Sequence, residues 1–196
     1  MITGLNTHSF ENLQLGAGMF LQGFDPVSAS DASALRTLLA QRIASGEGLL
    51  GATKGGGTFQ CKPNLRSIEA DGLRTPVKGA TLNDGWTVKL TGTLLEITPG
   101  SFSAVLGPCD ISSAGNVTTL RPRRDVEMID HISSLCWIGE LSKGLMLIEL
   151  SNALNMSGAA FTFTDKGEGA LPFEFQAHQD SPADSEHAPC RIMFFN

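Results

Sequence analysis

The chain has 196 residues, of which 41% are apolar and 17% charged, the balance of a folded globular protein rather than a disordered one. Surface scaling gives a 20.7 kDa chain about 9,000 Å² of folded accessible surface against about 30,000 Å² unfolded, so one domain over 1–196 has a sizeable core without metals or disulfides. The net charge of −6 argues against a surface for duplex DNA or anionic lipid, because both need an excess of Lys and Arg.

Residues 1–25 mix Leu13, Leu15, Met19, Phe20, Leu21 and Phe24 with Gly16, Gly18 and Gly23, the pattern of one or two short strands or of an apolar arm that needs a partner. No basic region precedes an apolar stretch here, so no signal peptide is expected. No run approaches the roughly 18 apolar residues of a membrane helix, and no membrane partner is expected.

Residues 28–45 read as the principal helix. Ser30 is its expected cap, Asp31 suits its positive end, and Gly46 closes it. Ala32, Leu35, Leu38, Leu39 and Ile43 recur at three-to-four-residue spacing, so that stripe should lie on a sheet.

Residues 51–98 read as a long hairpin with an extended loop over 71–85. The opening GATKGGGT is not a phosphate loop, because Lys54 precedes the glycines and Thr58 leads into a strand rather than a helix; the glycines read as slack before the first arm. Phe59 to Ala70 is the first arm, with Pro63 marking an edge or a bulge. Asn83-Asp84-Gly85 reads as a turn. In the second arm Trp86, Val88, Leu90 and Leu94 share one face, and Thr87, Lys89, Thr91 and Thr93 the other. The phase flips at Leu94-Leu95, which predicts a bulge near Gly92.

Beyond Pro99 the pattern is weaker: a turn over Ser112 to Asn116, an edge strand from Leu120 to Arg124, and one helical turn within 125–134. Apolar strands follow at Leu135–Leu141, Gly144–Leu150 and Ala159–Thr164. After a turn at 165–169, Leu171, Phe173, Phe175 and Ala177 alternate with polar residues, and the chain closes on Ile192 to Phe195. Short strands at near-regular spacing with one principal helix predict a mainly β fold, a β-sandwich or half-barrel.

Little of this carries chemistry. Cys61, Cys109, Cys136 and Cys190 are isolated, without the spacing of a zinc site or a secreted disulfide framework, so buried thiols in a reducing compartment are expected. His178, Asp180, Asp184, Glu186 and His187 cluster on a soft loop that lacks the spacing of a cation site and reads as solvated. Asp130-His131 has no serine in a nucleophile elbow to serve. Trp137, among apolar neighbours, reads as core. No catalytic residue, cofactor or metal is expected, and the chain is not expected to be an enzyme.

Charge is unevenly spread. Residues 51–98 hold six basic and four acidic side chains, whereas 161–196 hold two basic and six acidic, a contrast able to steer copies of the chain together.

The ordered phrases NLQLGAGMFLQGFD, GLLGATKGGGTF, IEADGLRTPVKG, TGTLLEITP, LCWIGEL, LIELSNALN, FTFTDKGEG and LPFEFQAH, running from about residue 12 to the C-terminus, carry a resemblance. In that order they resemble the major tail proteins of long-tailed bacteriophages and prophages with non-contractile tails. The resemblance implies a tail-tube subunit with a tail-tube-like fold and no catalytic residues, self-assembling into rings, hexameric in the family, that stack into a conduit for DNA. Its implied partners are other copies of itself and tail parts such as the terminator, tape measure and distal tail protein, with DNA passing through without specific binding. Its implied location is the virion tail, assembled in the host bacterial cytoplasm. On that reading Leu73, Arg74, Pro76 and Lys78 are the candidates for contact between rings, and Thr87, Lys89, Thr91 and Thr93 for the inner barrel. The alternatives are a related tail part such as a terminator, a type VI-like tube protein, and a monomeric β-sandwich that binds a ligand.

Overall fold

A computed structural model describes residues 13–181 and 186–196, together with Gly4 and Phe10. Most of the predicted arm before Leu13, and Asp184 of the acidic loop, lie outside the described residues. Among the described residues the fold is mainly β: a seven-stranded antiparallel sheet, a separate two-stranded ribbon and two α-helices.

In chain order the elements are β1 (Gln14–Gln22), α1 (Ala32–Ser45), β2 (Thr53–Ser67), β3 (Thr81–Leu94), α2 (Pro99–Leu106), β4 (Cys109–Ala114), β5 (Val117–Pro122), β6 (Ile132–Leu141), β7 (Leu145–Asn155), β8 (Leu171–Gln176) and β9 (Cys190–Phe195), with single 3-10 turns at Pro26–Ser28 and Met128–Asp130. The large sheet runs β1-β6-β7-β8-β3-β2, and β9 joins β7; β4 and β5 form the ribbon.

Strand β7 is the pivot. Its first half, Leu145 to Leu150, pairs with β9, while Leu154 and Asn155 pair with β8. Between them Asn152 takes φ 45°, a left-handed conformation that asparagine tolerates better than most residues, and the strand changes neighbours there. The sheet therefore curls around an inner core that includes Phe20, Leu90, Leu94, Leu135, Leu150, Phe173 and Phe175, with Phe20 and Phe173 edge to face at 5.2 Å. A second cluster, with Leu21, Leu35, Leu39, Cys136, Ile138 and Leu147, sits on the opposite face of β1, β6 and β7 beneath α1. Strand β6 is thus buried on both faces, Leu135 and Trp137 inward and Cys136 and Ile138 outward, so its sequence is a continuous apolar run rather than an alternation.

The curl nearly closes. Leu50 N donates to Phe20 O at 3.1 Å and Gln22 N to Gly48 O at 2.7 Å, joining β1 to the chain entering β2. Further along, the two strands part over Trp137 and leave a cleft of about 300 Å³ edged by Gly16 and Gly55 to Gly57. The Trp137 indole donates to Ala17 O at 2.9 Å.

Several sequence expectations are corrected. Asp31, not Ser30, caps α1: its carboxylate accepts from Ala34 N at 2.8 Å because the first helical residue is Ala32. Leu35 and Leu39 are buried beneath the helix, but Ile43 turns outward. A second helix, α2, was missed. Thr98 and Ser101 cap it reciprocally, Pro99 occupies its first turn, and Asn155 Nδ2 holds its Val105 carbonyl at 2.5 Å. The expected strand over 159–164 is a loop with one bridge, Thr162 to Ala170. The expected turn at 112–116 is the tip of the β4–β5 ribbon.

Candidate interaction surface on the long hairpin

The first arm of the hairpin starts earlier than expected, at Thr53, so the glycines belong to the strand. Thr53 faces Leu94 and Gly57 faces Gly92, so four steps along β2 span two along β3. The bulge expected near Gly92 lies in the partner strand β2, opposite Thr93 and next to the Gly57–Gly92 pair, and Gly55 and Gly56 adopt φ of 77° and 72° that a side chain would strain. A second irregularity lies between Pro63 and Leu65, where proline cannot donate to the ladder.

At the far end, Asn83-Asp84-Gly85 is not the turn. These residues lie within β3, Leu65 faces Asn83, and Asn83 Oδ1 accepts from Gly85 N at 3.2 Å, so the local turn chemistry makes a bulge instead. The connecting loop therefore spans 68–80 rather than 71–85, and Ile68 N donating to Ala80 O at 2.7 Å closes it. Arg66 grips Asp84 through two bonds of 2.8 and 3.2 Å just below the loop. Hydrogen bonding to Asp84 raises the Arg66 pKa, and the Arg66 bond holds the Asp84 carboxyl below its ordinary value.

Leu73, Arg74, Pro76 and Lys78 are all exposed on this loop. Leu73 and Pro76 border a cleft of about 500 Å³ that also touches Ile68 and Val77, while Arg74 lines it and Lys78 does not. Apolar exposure continues down the arms: Leu65 is 62% exposed and Trp86 39%, so Trp86 does not join the core face it was expected to share with Val88 and Leu90. Its cross-strand neighbour is Pro63, at the irregular end of the arm, where the sheet has already left the core.

Thr87, Lys89, Thr91 and Thr93 lie together on the outward face of β3, each half-buried, while Val88, Leu90 and Leu94 point into the inner core. Register extends this polar face over three strands. Lys62, Gln60 and Thr58 of β2 stand opposite Thr87, Lys89 and Thr91, and Gln176 and Glu174 of β8 stand opposite Lys89 and Thr91. Lys89 Nζ meets Glu174 Oε1 at 2.6 Å. The alternation of β8 was visible in sequence, but not that it would pair with β3. At the glycine end, Lys54 pairs with Glu168 at 3.1 Å, joining the hairpin to the acidic turn over 165–169; a backbone bond within Glu168, then Lys54, lowers the Glu168 pKa.

The other candidates have local partners. His178 Nδ1 lies 3.1 Å from Asn152 O, Asp180 accepts from Asn152 Nδ2 at 2.5 Å, and Gln179 Nε2 donates to His187 O at 2.5 Å. The rings of His131 and His178 meet edge to face at 5.2 Å, which sequence reading had kept apart. Asp130 is engaged by Arg123 and accepts from Glu127 N at 2.7 Å, so it does not orient His131. Among the described residues, no group of three or more His, Cys, Asp or Glu is placed to hold a metal ion, and no helix is long and apolar enough to cross a membrane. Sequence reading also missed Met128 and Ile129, both 83% exposed on the 3-10 turn after the ribbon. The chain matches no protein-family model and no curated protein sequence.

Proposed function

We propose that the chain is the structural subunit of a phage tail tube, with its curled sheet acting as a β-sandwich or half-barrel that associates with further copies, six to a ring, and with rings stacking into a conduit for DNA. The observation that carries this reading is surface left uncovered. The chain exposes 12,567 Å² against the about 9,000 Å² of a compact monomer of its mass. Much of the apolar part lies on the distal hairpin, at Leu65, Ile68, Leu73, Val77, Leu82 and Trp86. Exposed apolar area on this scale is the mark of a surface that is covered by a partner.

Two further features support it. The threonine-rich face of β3, with the charge of Lys89 balanced by Glu174, suits a lumen that does not hold phosphates and so lets DNA slide. The outer edge of β2 has pairing capacity that a neighbour in a ring would satisfy. The reading assigns no catalytic role and no cofactor, places the subunit in the virion tail after assembly in the bacterial cytoplasm, and gives it the terminator, tape measure and distal tail proteins as neighbours.

Electron microscopy of the concentrated purified chain tests it. Six-fold rings or long tubes are the expected result, and particles that stay monomeric at every concentration and salt would refute it. A ligand-binding module is favoured by one observation, the apolar cleft of about 500 Å³ between α1 and β6 lined by Leu15, Met19, Leu39, Ile43 and Ile138. Monomers whose melting midpoint rises with a small apolar ligand would support that reading instead.

A further inference from the structure

Strands β2 and β9 share no ladder, yet each sends a cysteine into the same inner core. Cys61 stands opposite Val88 in β2–β3, and Cys190 stands opposite Leu150 in β7–β9; Val88 and Leu150 are both fully buried in that core. Opposed residues of an antiparallel pair point to the same face, so both thiols enter the space enclosed by the curl. Both pack against that core, the Cys61 thiol lies close enough to Cys190 to push its titration upward, and both remain partly accessible. Cys136, by contrast, is wholly buried in the outer cluster beneath α1, and Cys109 lies on the ribbon.

We propose that Cys61 and Cys190 are a disulfide-forming pair, closed by a disulfide oxidant of the glutathione class, which staples the long hairpin to the C-terminal strand. The closure balances as a two-step exchange. The thiolate of one cysteine attacks a sulfur of the oxidant, breaking its S–S bond and releasing one glutathione thiol. The thiolate of the second cysteine then attacks the protein sulfur of the mixed disulfide and releases the other. The two cysteines lose two electrons and two protons, and the oxidant leaves as two thiols. Burial, then the neighbouring Cys61, pushes the Cys190 thiol up to about 12, so the exchange is slow at neutral pH. A reducing cytoplasm leaves the pair open, and an oxidising exterior closes it.

The inference is independent of the tube reading, and its test uses the full chain. The reduced protein is incubated with oxidised glutathione at mildly alkaline pH, and its thiols are then counted after denaturation. Four should fall to two, and a tryptic map should join residues 55–66 to residues 167–191. The C109A/C136A variant should still close, and C61S should not. The melting midpoint of the closed form should rise by roughly 5–10 °C over the reduced form. Four persistent thiols, a bridge that involves Cys109 or Cys136, or a midpoint that falls on closure would each overturn the proposal.

Discussion

Lys89 and Glu174 form a diagonal ion pair across β3 and β8, Nζ to Oε1 at 2.6 Å, although by register each stands opposite another residue, Gln176 and Thr91 respectively. The long lysine stem makes the diagonal reach. Both side chains keep about a third of their exposure, 29% and 36%, so water screens the attraction. The K89M/E174Q double variant is expected to lose no more than about 1 kcal/mol of stability in urea titration. A loss of several kcal/mol would mean that the pair anchors the sheet rather than balancing the charge of its polar face.

The buried carboxylate of Glu149 behaves differently. Arg191 reaches it from β9 with two bonds, of 2.6 and 3.0 Å, and Ser134 Oγ donates at 3.1 Å. The carboxylate side is 7% exposed, whereas Arg191 is 51% exposed. The two truncations should therefore be unequal. R191M strands a buried charge and should cost about 3 kcal/mol, while E149Q leaves a hydrated guanidinium and should cost less. Equal losses in denaturant melts would count against this asymmetry.

Removal of Leu73 to Lys78 shortens a loop whose ends are already joined by the Ile68–Ala80 bond. The variant should keep its circular dichroism spectrum and a melting midpoint within a few degrees of the parent, because none of the six residues is buried. On the proposed function it should form no tubes. Normal tubes from this variant would remove the loop from the assembly surface. Raised salt should weaken stacking in the parent if Arg74 and Lys78 meet an acidic neighbour.

Asp31 makes the acid side of the stability profile testable. Its bond from Ala34 N, at the head of α1, holds its carboxyl below the ordinary 3.8. A depressed folded pKa gives a contribution that is complete above the unfolded value and is lost as pH falls through the folded one. D31N keeps a good cap without the titration, so its melting midpoint should fall less steeply than the parent's as pH drops below the ordinary carboxylate value. Parallel curves would show that the cap does not contribute to the acid limb.

The ring of Phe173 lies where a side chain at Gly92 would go. G92A should therefore overpack the inner core and cost about 1–3 kcal/mol, and F173A should cost about 3–5 kcal/mol through the cavity it leaves. Combining them should be less than additive, since the truncated ring no longer opposes the new methyl group. A double-mutant cycle in urea measures the difference.

By itself the sequence determined the elements whose signals are local. The stripe of α1, the alternation in β3 and β8 and the apolar run of β6 each follow from one segment's own residues, and together they specify a mainly β chain with a principal helix. Tertiary structure decided the rest. Thr98-Pro99 and Ser101 encode a start for α2, but eight residues hold a helix only when Asn155 and the inner core fix its end. Asn83-Asp84-Gly85 has turn chemistry, yet the partner strand continues past it, so pairing with β2 overrode the local preference. The meeting of Lys89 with Glu174, of His131 with His178 and of Cys61 with Cys190 spans separations that no periodicity reports. Those contacts exist because β7 bends at Asn152 and curls one sheet around its own core, a consequence of how strands pair rather than of any one strand's residues.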